Sequence, residues 1–306
     1  MKWEKKGLIY CPDGKYGWDN NTALTPTPII ENKIIRIFIS IRDKKGIGRI
    51  GFVDVDIENP LKIINISEKP VLDIGMPGTF DDNGIILGDV ILINNIFYMF
   101  YIGFQIPQKA KFLAFTGIAY SNDNGNTFTR LKNTPILDRS NEGIFIRAIH
   151  TIMKESENYK IWYSAGNGWE YINNKPFPKY CIMYQESKDF FSFKEKGTVC
   201  IEPNYERGEY RIGRPRVYKT NNKYIMFYTY GTLKGDYLIG YAESNDGITW
   251  IRNDGNTGLS LSKAGWDSKH ICYPSLIFYK DRVYIFYNGN EMGKTGFGYA
   301  ELISWD

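Results

Sequence analysis

Histidine is scarce in this chain of 306 residues. Only His150 and His270 occur, and the four cysteines, Cys11, Cys181, Cys200 and Cys272, lie far apart with no CxxC spacing. A zinc centre built from His and Cys is therefore not expected, and we expect no metal and no cofactor. Scattered cysteines read as free thiols in a reducing compartment. No apolar run approaches the ~18 residues of a membrane-spanning helix. The opening MKWEKKGLIYCPDG lacks the apolar core of a secretion signal. Together these absences predict a cytoplasmic protein with no membrane span. Charge of one sign is also missing: 38 Lys and Arg against 34 Asp and Glu leave a net +4. No basic run interleaves with aromatics, so nucleic acid is not an expected partner. There is no GxSxG elbow, no P-loop and no GxGxxG after a strand; Gly46-Ile47-Gly48 reads as a turn. Abundant isoleucine, lysine and asparagine fit an AT-rich bacterial gene.

Aromatic residues are plentiful, at 16% with 23 tyrosines, and they are placed periodically. Apolar runs of strand length recur at Ile35–Ser40, Tyr98–Tyr101, Lys160–Tyr163, Tyr224–Tyr228 and Tyr284–Tyr287. Their central aromatics, Phe38, Phe100, Trp162, Phe227 and Phe286, stand 62, 62, 65 and 59 residues apart. A turn also recurs. Asn245-Asp246-Gly247 precedes Trp250, Asn122-Asp123-Asn124-Gly125 precedes Phe128, and Lys188-Asp189 precedes Phe193. A single sheet of this size cannot bury both faces, so it needs neighbours like itself. A period near sixty residues with about four strands each predicts an all-β propeller of five four-stranded antiparallel blades in one domain, residues 1–306. The last repeat has no fourth strand of its own. Trp3-Glu4-Lys5 resembles the outermost strands at Trp250-Ile251-Arg252 and Phe128-Thr129-Arg130. The N-terminal strand is thus expected to complete the last blade.

Three repeats carry an aromatic-Asp pair in the loop before the inner strand: Trp18-Asp19, Phe80-Asp81 and Trp266-Asp267. Such repetition points to an Asp that caps the turn. The inner strands hold both histidines and a group of arginines: Arg147 and His150, then Arg211, Arg214 and Arg216, then His270 and Tyr273. Arg214 and Arg216 share one strand face by the two-residue period, and Arg211 takes the other unless the strand bulges.

The cassette of aromatic-Asp loop, Pro-containing inner strand, YxMFY run and S-N-D-G-x-T-W hairpin resembles the five-bladed propellers of glycoside hydrolase families 43, 32 and 130, over nearly the full length. The resemblance implies a sugar-binding central pocket. It also implies acidic residues just before the inner-strand prolines, but this chain has Thr25, Arg214 and Tyr273 there, and Ile149-His150 in the third repeat. Glycoside hydrolysis normally uses two carboxylates across the scissile bond. Asp19, Asp82 and Glu142 are the candidate catalytic acids or bases. Arginine suits a carboxylate or phosphate through bidentate bonds. Arg147, Arg211, Arg214 and His270 are therefore expected to bind the anionic part of the ligand, with Tyr210 and Tyr273 against the sugar ring and His150 a further substrate-binding residue. The expected function is a glycoside hydrolase-like enzyme that hydrolyses, phosphorolyses or transfers an anionic sugar or sugar phosphate. The alternative is a non-catalytic glycan-binding propeller that has lost the acids.

Overall fold

The computed structural model describes residues 1–220 and 223–305; Asn221, Asn222 and Asp306 lie outside the described residues. Among the described residues the strands fall into five antiparallel groups. The first is β2 to β5 (Asn21–Glu31, Ile34–Arg42, Gly48–Asp56, Ile63–Ile66). The second is β6 to β9 (Ile85–Ile93, Ile96–Gln105, Leu113–Ser121, Thr129–Arg130), and the third β10 to β13 (Ile146–Glu155, Asn158–Ile172, Lys175–Ser187, Thr198–Ile201). The fourth is β14 to β17 (Glu209–Lys219, Tyr224–Thr232, Tyr237–Ser244, Ile251–Arg252). The last is β18 to β20 (Cys272–Tyr279, Arg282–Asn288, Phe297–Ser304), completed by β1 (Lys2–Tyr10) against β20. The all-β arrangement fits a propeller.

The period of two explains why the second strand of each group is apolar almost throughout. Along β11, Tyr159, Ile161, Tyr163 and Ala165 join a core with Phe100 and Ile118 of the second group, while Trp162 faces a core shared with the fourth. Three further cores alternate in the same way. Phe38 and Phe52 meet Leu87 and Met99, and Phe227 and Tyr241 meet Leu276 and Tyr287. Ile35, Ile37 and Ile39 meet Tyr284, Phe286 and Tyr299, which joins the last group to the first.

The recurring turn is built by its own side chains. Ser244 Oγ bonds Asp246 Oδ1 at 2.8 Å, and that oxygen accepts the Ile248 and Thr249 amides at 2.8 and 2.7 Å. Gly247 sits at φ +79°, and its carbonyl accepts the Trp162 indole N–H at 2.8 Å from the preceding group. Trp3 is buried, packs edge-on against Phe227 at 6.4 Å and donates to the Thr257 carbonyl at 2.8 Å.

Candidate functional site

Each inner strand, the first of its group, is interrupted along its length, and β2 and β14 slip a second time near their starts, between Asn21 and Ala23 and between Glu209 and Arg211. The register against its neighbour slips between Leu24 and Thr27, Leu87 and Asp89, Ile149 and Thr151, Gly213 and Arg216, and Cys272 and Ser275. The extra residues are Thr25, Gly88, His150, Arg214 and Tyr273, three of them followed by proline. Proline cannot donate to the ladder, so a bulge is where an inner strand tolerates it. Thr25, Arg214 and Tyr273 adopt φ of 58°, 51° and 53°. Left-handed backbone costs a non-glycine residue about 1–3 kcal/mol and is found preferentially at ligand sites. At Gly88 a Cβ would collide with the carbonyls of Ile149 and Phe100, so only glycine fits.

The bulges are locked by hydrogen bonds from one group to the next. Ser40 Oγ accepts the Leu87 amide at 2.7 Å, Thr116 Oγ1 the Ile149 amide at 2.9 Å, and Ser164 Oγ the Arg214 amide at 3.3 Å. Thr229 Oγ1 accepts the Tyr273 amide at 2.8 Å, and Asn288 Oδ1 accepts the Thr25 amide at 2.8 Å.

Four of the five bulged residues, Thr25, His150, Arg214 and Tyr273, line a cavity of about 480 Å³. Its walls also carry Arg42, Lys111 and Arg211; among the described residues no Asp or Glu lines it. Arg214 is only 3% exposed and has no carboxylate partner. Its guanidinium donates to the Leu87 carbonyl at 2.7 Å, the Thr25 carbonyl at 3.3 Å and Thr27 Oγ1 at 3.0 Å, and its Nε is unpaired. Burial, with the Arg216 charge nearby, pushes this guanidinium down to about 9. Arg211 lies 4.3 Å above the Tyr237 ring and 5.0 Å from that of Tyr210, and its buried Nε is also unpaired. Tyr237 donates to Tyr273 Oη at 3.1 Å, and Tyr180 lies 3.4 Å from Tyr237, so three phenols run beneath Arg211. Burial and the charges of Arg214 and Arg216 hold the His150 imidazole well below its ordinary value, and its buried Nδ1 has no partner.

The cavity brings together His150, Arg211, Arg214 and Tyr273. The other expected site residues lie outside its lining, and Asp19 Oδ2 and Asp82 Oδ1 are buried without a hydrogen-bond partner. Glu142 accepts from Arg147 Nη2 at 2.8 Å, Tyr163 Oη at 2.7 Å and the Gly197 amide at 2.7 Å. Arg147 is thereby a buried ion-pair member, and it also donates to the carbonyls of Asp138 and Lys194. Asp19 Oδ1 accepts the Tyr16 amide at 2.8 Å, which caps its turn, and Asp82 Oδ2 accepts the Gly78 amide at 2.8 Å. Tyr210 is buried behind Arg211 rather than open to the cavity. His270 Nε2 lies 3.2 Å from the Gly235 carbonyl, and its Nδ1 accepts the Glu291 amide at 3.0 Å. Arg216 donates to Asp89 Oδ1 at 2.6 Å and to the His150 carbonyl at 2.6 Å.

Sequence reasoning missed Arg42, Lys111, Phe177, Tyr180 and Tyr237. A signal for two of these, Phe177 and Tyr180, was present. β11 and β12 are 15 and 13 residues long and turn at Asn173-Asn174, with φ of 50° and 61°. This overlong hairpin delivers Phe177, Pro178 and Tyr180 to the cavity.

No protein-family model matches the sequence. Among solved structures, the chain is similar to a putative glycoside hydrolase from Parabacteroides distasonis. The TM-score is 0.72 and the identity 13%, with 98% of this chain and 95% of that one covered. A structure described under "The GH130 family of mannoside phosphorylases contains glycoside hydrolases that target beta-1,2 mannosidic linkages in Candida mannan" aligns with TM-score 0.71 at 16% identity, covering 98% and 93%. A thermostable family-43 glycoside hydrolase aligns with TM-score 0.65 at 18% identity, covering 92% and 88%. The chain shares the fold of these solved structures. In sequence, the chain is 30% identical over 304 residues to "Uncharacterized protein Rv1502" and to "Uncharacterized protein MT1551" of Mycobacterium tuberculosis, covering 99% of each pair. The chain belongs to the family of these mycobacterial proteins. Among the described residues no helix is long and apolar enough to cross a membrane.

Proposed function

We propose that this chain is a single-domain, five-bladed propeller that binds an anionic sugar or sugar phosphate in its central cavity, without two-carboxylate hydrolysis. The observation that carries this reading is the cavity wall, with Arg42, Lys111, Arg211 and Arg214 and no carboxylate among its described lining residues. A buried guanidinium with an unpaired Nε is electrostatically incomplete, and an anion completes it. The five groups, with a core and an Asn288–Thr25 bond joining last to first, support a closed ring. Neighbours described as glycoside hydrolases and mannoside phosphorylases support a sugar as the ligand. Hydrolysis would need two carboxylates facing one another across the bond, and Asp19, Asp82 and Glu142 bond protein groups elsewhere.

A second reading, an enzyme, rests on the three phenols of Tyr180, Tyr237 and Tyr273 beside Arg211, a chain of hydroxyls able to pass a proton. It requires turnover that is lost in Tyr237→Phe.

Calorimetry with uronic acids, hexose 1-phosphates and their neutral parents tests the proposal. The anionic ligands should bind, and Arg211→Met should weaken them at least tenfold, since a bond to a charged group contributes about 1.5–3 kcal/mol. Neutral sugars binding equally well, or glycoside hydrolysis that depends on Asp82 or Glu142, would overturn it.

A further inference from the structure

The cavity has two chemically different halves. Arg211, Arg214 and His150 come from β14 and β10. The facing wall comes from β6, β7, β8 and the start of β10, and it is hydrocarbon: Ile86, Ile102, Phe104, Phe112, Ala114 and Ile146. Ile102, Ala114, Ile146 and Ala148 form an apolar cluster of their own, separate from the five cores between groups, and its open side is the cavity. Ile106, 67% exposed, continues the same surface to the mouth.

A sugar ring set against this wall would leave hydroxyls facing isoleucine, phenylalanine and alanine, with Asn83 and Lys111 the only polar side chains that these segments add to the lining. The polar edge of a nucleobase would face the same largely apolar surface. A hydrocarbon chain loses nothing in that position and gains from leaving water. The two halves belong to one continuous cavity, large enough to enclose a whole small organic ligand. We propose that the apolar half is an aglycone subsite, so that the ligand is an amphiphile: an anionic head at Arg211 and Arg214 joined to an aliphatic tail along Ile86, Ile102 and Phe112. This inference rests on the anionic-ligand reading above.

Three probes separate the two ideas: methyl phosphate, octyl phosphate and octyl glucoside, each below its micelle concentration and titrated calorimetrically into the full chain. Octyl phosphate should bind at least tenfold more tightly than methyl phosphate, because two buried methylenes already supply that factor. Phe112→Ala and the surface variant Ile106→Ser should cut this ratio to below threefold. Equal affinity for methyl and octyl phosphate would overturn the aglycone subsite and leave the anion site standing. Octyl glucoside binding as tightly as octyl phosphate would overturn the anion reading and leave the apolar subsite. Binding of none of the three would overturn both. A ratio above tenfold that survives both variants would place the tail elsewhere and overturn the assignment of this wall.

Discussion

Arg214 donates to the carbonyl of Leu87 across 2.7 Å, although 127 residues separate them in sequence. One guanidinium from the fourth group thus fastens the bulge of the second, and through Thr25 and Thr27 that of the first. It does so with no carboxylate in direct ion-pair contact among the described residues, Asp89 being paired instead with Arg216.

Removing this side chain should therefore act on stability and binding together. Arg214→Met leaves buried carbonyl and hydroxyl acceptors unpaired, at about 1–3 kcal/mol in all, because relief of the buried charge offsets part of the loss. Anionic ligands should bind at least tenfold more weakly while neutral analogues are scarcely altered. Urea denaturation and calorimetry on the same samples check both. A variant that keeps wild-type affinity for every anion would show that Arg214 is only a fastener.

Glu142 should behave in the opposite way. It is buried with Arg147 and Tyr163, away from the cavity. Glu142→Ala strands the Arg147 charge and should destabilise the fold by about 3–5 kcal/mol. Ligand affinity at a temperature where the variant is folded should stay within threefold of wild type. A large loss of affinity at unchanged stability would return Glu142 to the site.

Deletion of residues 1–7, or Trp3→Ala, should be costly. Trp3 packs on Phe227 and bonds Thr257, and β1 completes the last sheet. Losing the indole alone costs about 3–5 kcal/mol. A melting temperature within two degrees of wild type after truncation would contradict this.

His150 sets a pH dependence whose sign follows from burial. Its folded pKa lies well below the ordinary 6.5, so below that pH the unfolded chain takes up a proton that the folded chain refuses. Its contribution is intact above pH 6.5 and falls away as the pH drops, by up to about 1.4 kcal/mol per unit. Urea denaturation between pH 7.5 and 5.5, above the carboxylate range, should show the slope, and His150→Gln should flatten it. A bound anion beside His150 should raise its pKa, so anion binding should tighten toward pH 5.5.

Much of the fold was legible because each second strand is apolar on both faces, as only a strand packed between two sheets would be. Tyr159, Ile161 and Tyr163 against Trp162 show this within five residues. Trp3 was legible for a related reason, since an aromatic leading into a short strand with charged residues recurs at Phe128, Phe193 and Trp250. The site was harder to read. Arg147, Arg211, Arg214 and Arg216 look alike in sequence, and their neighbours decide their roles: Glu142 for one, Asp89 for another, aromatic rings and carbonyls for the two that face the cavity. Both carboxylate partners come from stretches with no pattern to mark them. The prolines after Thr25, Arg214 and Tyr273 were visible, but bulges in all five inner strands were not, because Gly88 and His150 carry no proline.

The pairing of β1 with β20 also has a consequence for how the chain is made. Lys2–Tyr10 leaves the ribosome nearly three hundred residues before its partner Phe297–Ser304. At about 5–20 residues per second, the opening strand waits roughly 15–60 s as an unpaired edge. Its alternating charges, Lys2, Glu4, Lys5 and Lys6, make it a poor template for another chain during that interval. Stalled or truncated translation products that lack β20 would keep β1 idle and leave β19 with an unpaired edge. They should be the species that chaperones and proteases meet first.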